Sequence, residues 1–371
     1  MRFPEFTEEW ESVLLEDVAE FQKKRISSDL LNNSNYISTE NILQNFGGVQ
    51  NSISIPANTN VIEYQKGDVL LSNIRPYLKK VWLSDRNGGC SADVFVLRGN
   101  QCERRFLYYV IASDRFINFV MSGAKGVKMP RGDKSQMEKF AFFIPTNVEQ
   151  KKIAMFLSML DERIATQNKI IEDLKKLKSA IVDKLYSSTN GETYSFRQLF
   201  EVVNEKNKAR AYKNVLSASQ ELGMIERSDI NIDIKFEQES ISGYKIVRKG
   251  DYVVHLRSFQ GGFAFSDRTG ICSPAYIILR PNDLVAYGYL SHFFTSKPFI
   301  KSLKLVTYGI RDGRSINVDE WLDMPILLPP AQEQIRILTI VNTIDAKLHN
   351  EVKVQFCLSS QKSYLLNTMF I

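Results

Sequence analysis

The chain has 371 residues, 44% of them hydrophobic, and a mean hydropathy of -0.21, which predicts two or three soluble globular domains with real cores. No apolar run approaches the roughly 18 residues that suggest a membrane span, and the opening Met1-Arg2-Phe3-Pro4-Glu5 has no apolar signal core, so a cytoplasmic location is expected. A net charge of +6 and a pI of about 8.9 permit nucleic-acid binding without demanding it.

In chain order, a first globular stretch occupies 1–145. Short β-rich runs at 69–72 and 94–97, set between Gly and Asn turns, predict strands. Two of its loops mix basic residues with Gly and small polar groups. "SNIRPYLKK" offers Ser72, Asn73, Arg75, Lys79 and Lys80, and "SGAKGVKMPRGDK" offers Lys125, Lys128 and Arg131.

A long helix is predicted next, over 146–188, opened by Thr146 with Glu149 three residues later in a capping-box pattern. Its apolar stripe is Ile153, Leu157, Leu160, Ile164, Ile171, Leu174, Ile181 and Leu185. The steps alternate between three and four, the coiled-coil period. The 40 residues 147–186 would span roughly 60 Å at 1.5 Å each. A helix that long does not fit inside a domain of this size and needs a partner.

A second globular stretch, 189–328, has predicted strands at 252–255 and 276–279. Its loops "HLRSFQGG" and "TYGIRDGRS" offer Arg257 and Gln260, then Tyr308, Arg311 and Arg314. A second long helix, 329–371, opens after Pro329-Pro330. Its stripe is Ile337, Val341, Ile344, Leu348, Leu358, Leu365 and Met369.

The second half repeats the first. Pro145/Pro329, Glu149/Glu333, Gln150/Gln334, Ile153/Ile337 and Asp161/Asp345 are identical at one offset of 184 residues. "KGDVLLSNIR" at Lys66 is echoed by "KGDYVVHLR" at Lys249, and "CSADVFVLRGN" at Cys90 by "CSPAYIILRPN" at Cys272. Gln167 and Glu351 stand at the same polar step of the two stripes, where a polar residue commonly fixes register. The expected fold is α+β. Two globular domains are separated by two long antiparallel coiled-coil helices, with a pseudo-twofold internal repeat.

Catalytic motifs are missing. No GxG occurs, so there is neither a dinucleotide fingerprint nor a glycine-rich S-adenosylmethionine loop. "GIRDGRS" and "GVKMPRGDKS" have the wrong spacing for a phosphate loop. "SPAY" at Ser273 resembles an adenine-methyltransferase element without its second proline, and reads as a repeat strand. The four cysteines, Cys90, Cys102, Cys272 and Cys357, form no CxxC pair, which argues against zinc and disulfides. No catalytic residue, metal or cofactor is assigned. The basic loops suit DNA instead: Arg and Lys can pair with guanine, Asn and Gln with adenine, and the remainder with phosphates. Loops at matching places in both halves, with diverged sequences, fit two readers of two DNA words.

"FIPTNVEQKKIAMFLSMLDERI" and "LLPPAQEQIRILTIVNTIDAKL" resemble the two conserved regions of the specificity subunit of type I restriction–modification systems. "KGDVLLSNIRPYLKK" and "GVKMPRGDK" resemble elements of its target recognition domains, and "RFPEFTEEWESVLLEDV" its N-terminus. The resemblance implies two target recognition domains, 1–145 and 189–328, and two conserved helices, 146–188 and 329–371. It implies a bacterial protein that reads a bipartite, asymmetric site in double-stranded DNA. The helices would set a gap of at most roughly 18 base pairs.

It implies no catalytic site in this chain. Two modification (methyltransferase) subunits would bind S-adenosylmethionine and methylate adenine N6. Restriction subunits would use ATP and Mg to translocate and cleave DNA. Two other functions stay open at this point: a stand-alone duplicated DNA-modifying enzyme, and a non-catalytic scaffold joining two protein partners.

Overall fold

Each half of the chain begins and ends on the same antiparallel pair. Glu11–Leu14 pairs with Ala141–Ile144, and Glu192–Ser195 with Pro325–Leu328. The closing strand alternates exposed and buried residues in both halves, as a half-covered strand must. Its end lies two residues short of a long helix, so each globular part hands the chain directly to that helix.

The computed structural model describes residues 2–126, 128–219, 222–227, 238–255, 262–308 and 315–369. It divides into two compact units, one of residues 1–168 with 353–371 and one of residues 169–352.

In the first unit the central sheet has four antiparallel strands: β1 (Ala19–Phe21), β2 (Val69–Ser72), β3 (Val81–Leu83) and β4 (Val94–Gly99), in the order β1-β4-β2-β3. The second unit repeats it with β5 (Phe200–Val203), β6 (Tyr252–Val254), β7 (Phe263–Phe265) and β8 (Ile277–Pro281), in the order β5-β8-β6-β7. Register matches too: Leu70 faces Val96 in one sheet and Val253 faces Ile278 in the other. Short helices cover these sheets, Arg104–Ile111 and Asp114–Ser122 in the first unit, Tyr289–Phe293 and Lys297–Ser302 in the second. Glu103, Ser113 and Ser296 cap three of them. A smaller sheet in the first unit joins Arg25–Ser27, Asn60–Tyr64, Gly88–Cys90 and Tyr36–Ile37.

The Lys-Gly-Asp echo has a structural cause. Gly67 and Gly250 sit at φ +89° and +99°, where a side chain is strained. The following Asp68 and Asp251 are buried and grip Arg98 and Arg280 through paired contacts, 2.8 and 2.7 Å in the first unit, 2.9 and 3.0 Å in the second. Each carboxylate also accepts a main-chain N–H from three residues earlier, Gln65 or Arg248. A buried charge is tolerable only when paired and hydrogen-bonded in this way.

The long helices are α1 (Asn147–Ser187) and α2 (Ala331–Met369). The first unit holds α1 up to Asn168 and α2 from Lys353; the second holds the remainder of both. Within the first unit Ile153 and Leu157 share a core with Leu365, Leu366 and Met369. Further along, Asp161 pairs with Lys362 at 2.5 Å, so the two segments run antiparallel. Within the second unit Leu185 packs on the core that holds Ile337, and Lys178 pairs with Asp345 at 2.5 Å. Every residue of both apolar stripes is buried or half-buried. Gln167 is buried as well, and Glu351 pairs with Lys347.

Three local expectations need correction. "SPAY" is a turn rather than a strand: the Tyr276 N–H reaches the Ser273 carbonyl at 3.1 Å, and its counterpart Val94 reaches Ser91 at 3.0 Å. Strand β8 therefore starts at Ile277, and β6 ends at Val254 rather than at 255. Glu149 does not close a capping box on Thr146. Its carboxylate turns to the Arg2 guanidinium at 2.9 and 2.8 Å and to the Trp10 indole N–H at 3.3 Å.

Candidate nucleic-acid interface

The first unit brings its basic loops together through main-chain hydrogen bonds. Between β2 and β3 the chain makes a tight turn over Pro76–Leu78. Arg75 donates its N–H to the Pro130 carbonyl at 2.8 Å, and Gly132 donates to Asn73 at 3.1 Å. Lys125 and Arg131 exchange N–H···O bonds at 3.0 and 2.9 Å. The two loops singled out in the sequence thus form one stitched surface.

The side chains on it divide into four kinds. Ser72 is buried, and its hydroxyl donates to the Ile74 carbonyl at 3.0 Å, so it holds the loop. Asn73 has a buried side-chain oxygen with no hydrogen-bond partner among the described residues. Four basic residues are tethered. Lys79 pairs with Asp114 at 2.5 Å, Lys125 with Asp133 at 3.0 Å and Arg131 with Asp93 at 3.2 Å, while Lys80 donates to the Thr39 carbonyl at 2.6 Å. The Lys125 ammonium and the N–H groups of Gln136 and Ser135 hold the Asp133 carboxyl below its usual range. The side chains of Arg75 and Lys128 are exposed and make no such bond among the described residues.

The exposed Lys125 and Arg131 can exchange an aspartate for a phosphate or a base edge at little cost, because exposed ion pairs are weak. In the second unit Tyr308 is exposed and its hydroxyl donates to Glu320 at 2.6 Å. Arg257, Gln260, Arg311 and Arg314 lie outside the described residues.

The helix-start motif that drew attention in the sequence is structural. The Gln150 amide donates to the Pro145 carbonyl and accepts from the Glu103 N–H, both at 2.8 Å. Gln334 repeats this, donating to Pro329 at 2.9 Å and to Leu284 at 2.8 Å, and accepting from Ala286 at 2.8 Å. Each glutamine thereby locks its globular part onto its helix. Asp161 and Asp345 serve the helix pair: each takes a lysine, and the lysines, Lys362 and Lys178, are themselves 184 residues apart. That further identity at the repeat offset was the signal in the sequence that would have found them.

Burial pushes up the thiols of Cys90, Cys102 and Cys272, the last to about 12, so they are not thiolates near neutrality. Among the described residues no group of three or more His, Cys, Asp or Glu could hold a metal ion, and no helix is long and apolar enough to cross a membrane.

Residues 7–176 and 191–355 match the model of the type I restriction modification DNA specificity domain. Over 197 residues, 52% of this chain, the sequence is 27% identical to the Type I restriction enzyme MjaVIII specificity subunit of Methanocaldococcus jannaschii. That match spans 45% of the relative's length. Two solved structures share the fold. A chain from work on complex assembly and conformational transition of the type I R-M system aligns at a TM-score of 0.63 and 17% identity over 97% of both chains. The type I restriction-modification S subunit from M. genitalium aligns at 0.58 and 16% over 98% of this chain and 96% of that one.

Proposed function

Because this chain belongs to the type I restriction–modification DNA specificity family, we propose that it is the subunit that chooses the DNA sequence on which such a complex acts. Each globular part reads one short word of a bipartite, asymmetric site in double-stranded DNA. The long helices fix the unspecified gap between the words. The chain does no chemistry itself. Two modification subunits bring S-adenosylmethionine and methylate adenine, and restriction subunits bring ATP and Mg.

One observation carries this: two sheets share strand order and register, in two globular parts that a glutamine fastens each to its long helix, while the sequences between matching strands differ. A duplicated frame with different tips suits two different words, and it offers the same seat twice to identical partner subunits. Within the first word we assign contacts to Asn73, Arg75, Lys79, Lys80, Lys125, Lys128 and Arg131. Ser72 supports the loop from beneath. Within the second word we assign Arg257, Gln260, Tyr308, Arg311 and Arg314.

The test is selection from a random duplex library by this chain co-purified with its modification subunit. Two short words at a fixed gap are expected, and Arg131→Ala should weaken one word only. A single continuous word, or equal weakening of both, would overturn the assignment. Methyl transfer from labelled S-adenosylmethionine by the purified chain alone would revive a stand-alone enzyme.

A further inference from the structure

We propose that residues 43–48, "LQNFGG", form an additional DNA-reading loop of the first unit, with Gln44 and Asn45 taking the edge of an adenine. The inference rests on the DNA-reading function proposed above and adds a recognition element outside the two basic loops.

Backbone strain points there first. Among the described residues six non-glycine residues have positive φ, and four of them are Asn45, Phe46, Arg75 and Lys79, at +53°, +61°, +52° and +52°. A side chain in that region costs free energy and persists only where its surroundings enforce it, commonly at binding sites.

These four residues lie on two loops that are bonded to each other. Asn45 donates its N–H to the Leu78 carbonyl and Phe46 to the Lys79 carbonyl, both at 3.1 Å. The 43–48 loop is therefore fixed to the turn that carries Arg75 and Tyr77.

Its side chains divide by role. Phe46 turns inward, packing on the core of the unit, with the Lys362 ammonium 5.8 Å from its ring. Gln44 and Asn45 stay exposed, and their amides make no hydrogen bond among the described residues. Gly48 sits at φ +87° with nothing within 4 Å of where a Cβ would be, so the loop has open space on that side. An inward anchor and two exposed, unengaged amides, on a loop bonded to the turn that carries Arg75, make a preorganised reader. A carboxamide can donate to adenine N7 and accept from N6, while neighbouring cations hold the phosphates.

The test repeats the library selection, with modification subunits present, on Gln44→Glu, Gln44→Ala and Asn45→Gly. Asn45→Gly keeps the left-handed backbone, so it removes the amide without disturbing the turn. We expect Gln44→Ala or Asn45→Gly to lower the preference for adenine about tenfold at one position of one word. Gln44→Glu should move that position toward cytosine, because a carboxylate accepts from cytosine N4 but cannot donate to adenine N7. An unchanged first word, or loss spread evenly over both words, would overturn the loop's role while leaving the two-word function intact. If the unaltered chain selects no pair of words, the underlying function falls and this proposal with it.

Discussion

Asp68 and Asp251 show how much one side chain decides. Each is nearly inaccessible, and its arginine partner keeps 24% or 32% of its side chain exposed. Hydrogen bonding to the aspartate raises the pKa of Arg98 and of Arg280. Breaking such a pair from one side strands the other charge where water reaches it poorly. Asp68→Ala is expected to destabilise the protein by about 3–5 kcal/mol, measured by denaturant unfolding, and Asp251→Ala by a similar amount. A loss below about 1 kcal/mol would mean that solvent already screens the pair as at an open surface. In the sequence both residues stood inside repeated motifs, yet their pairing could not be read. The contact joins positions 30 or 29 apart, on a turn and on a strand, and only the sheet register brings them together.

At the scale of elements, legibility follows locality. The stripes of α1 and α2 were readable because helical periodicity is written in near neighbours. Strand ends were not, because partners across the sheet fix them; hence the turn at "SPAY". The 43–48 loop gave no signal at all: its two amides matter only once the fold bonds their loop to the turn that carries Arg75. The glutamine of each helix start stood out as a repeat, but its lock needed an N–H group from a distant segment, Glu103 for Gln150 and Ala286 for Gln334.

The helix pair also carries an asymmetry. Asp161 accepts from the Tyr109 hydroxyl at 2.9 Å, while Asp345 at the equivalent place has His292 3.7 Å away. Burial pushes the Tyr109 phenol far up, so it stays neutral. Burial, then the Lys178 charge, holds the His292 imidazole below its ordinary 6.5 against the pull of Asp345, with Asn342 also facing it. A histidine depressed in the folded state takes up its proton more readily when unfolded. Its contribution is thus complete above pH 6.5 and is lost as pH falls from there through the folded value. His292→Gln should flatten the fall in melting temperature between about pH 7.5 and 5.5. Parallel curves for the two proteins would show that His292 does not titrate differently on folding.

For the molecule as a whole, the feature that bears on the proposed gap is that the residues of α1 and of α2 are each shared between the two compact units. Helices of 41 and 39 residues are roughly 60 Å long. On the function proposed above, a gap between two DNA words that is set by protein must be set by something of comparable length and stiffness. Only these two elements qualify among those described. A seven-residue insertion after Asn168 in α1, matched by one after Val352 in α2, keeps the apolar stripe within about 20° of its phase. It adds about 10 Å of helix, or about three base pairs of duplex. Both words should survive unchanged, because neither globular part is touched, while the selected gap grows by about three base pairs. Unchanged words at an unchanged gap would place the ruler elsewhere, in the globular parts or in the partner subunits. Loss of both words together would mean that the helices are needed for reading itself and not only for spacing.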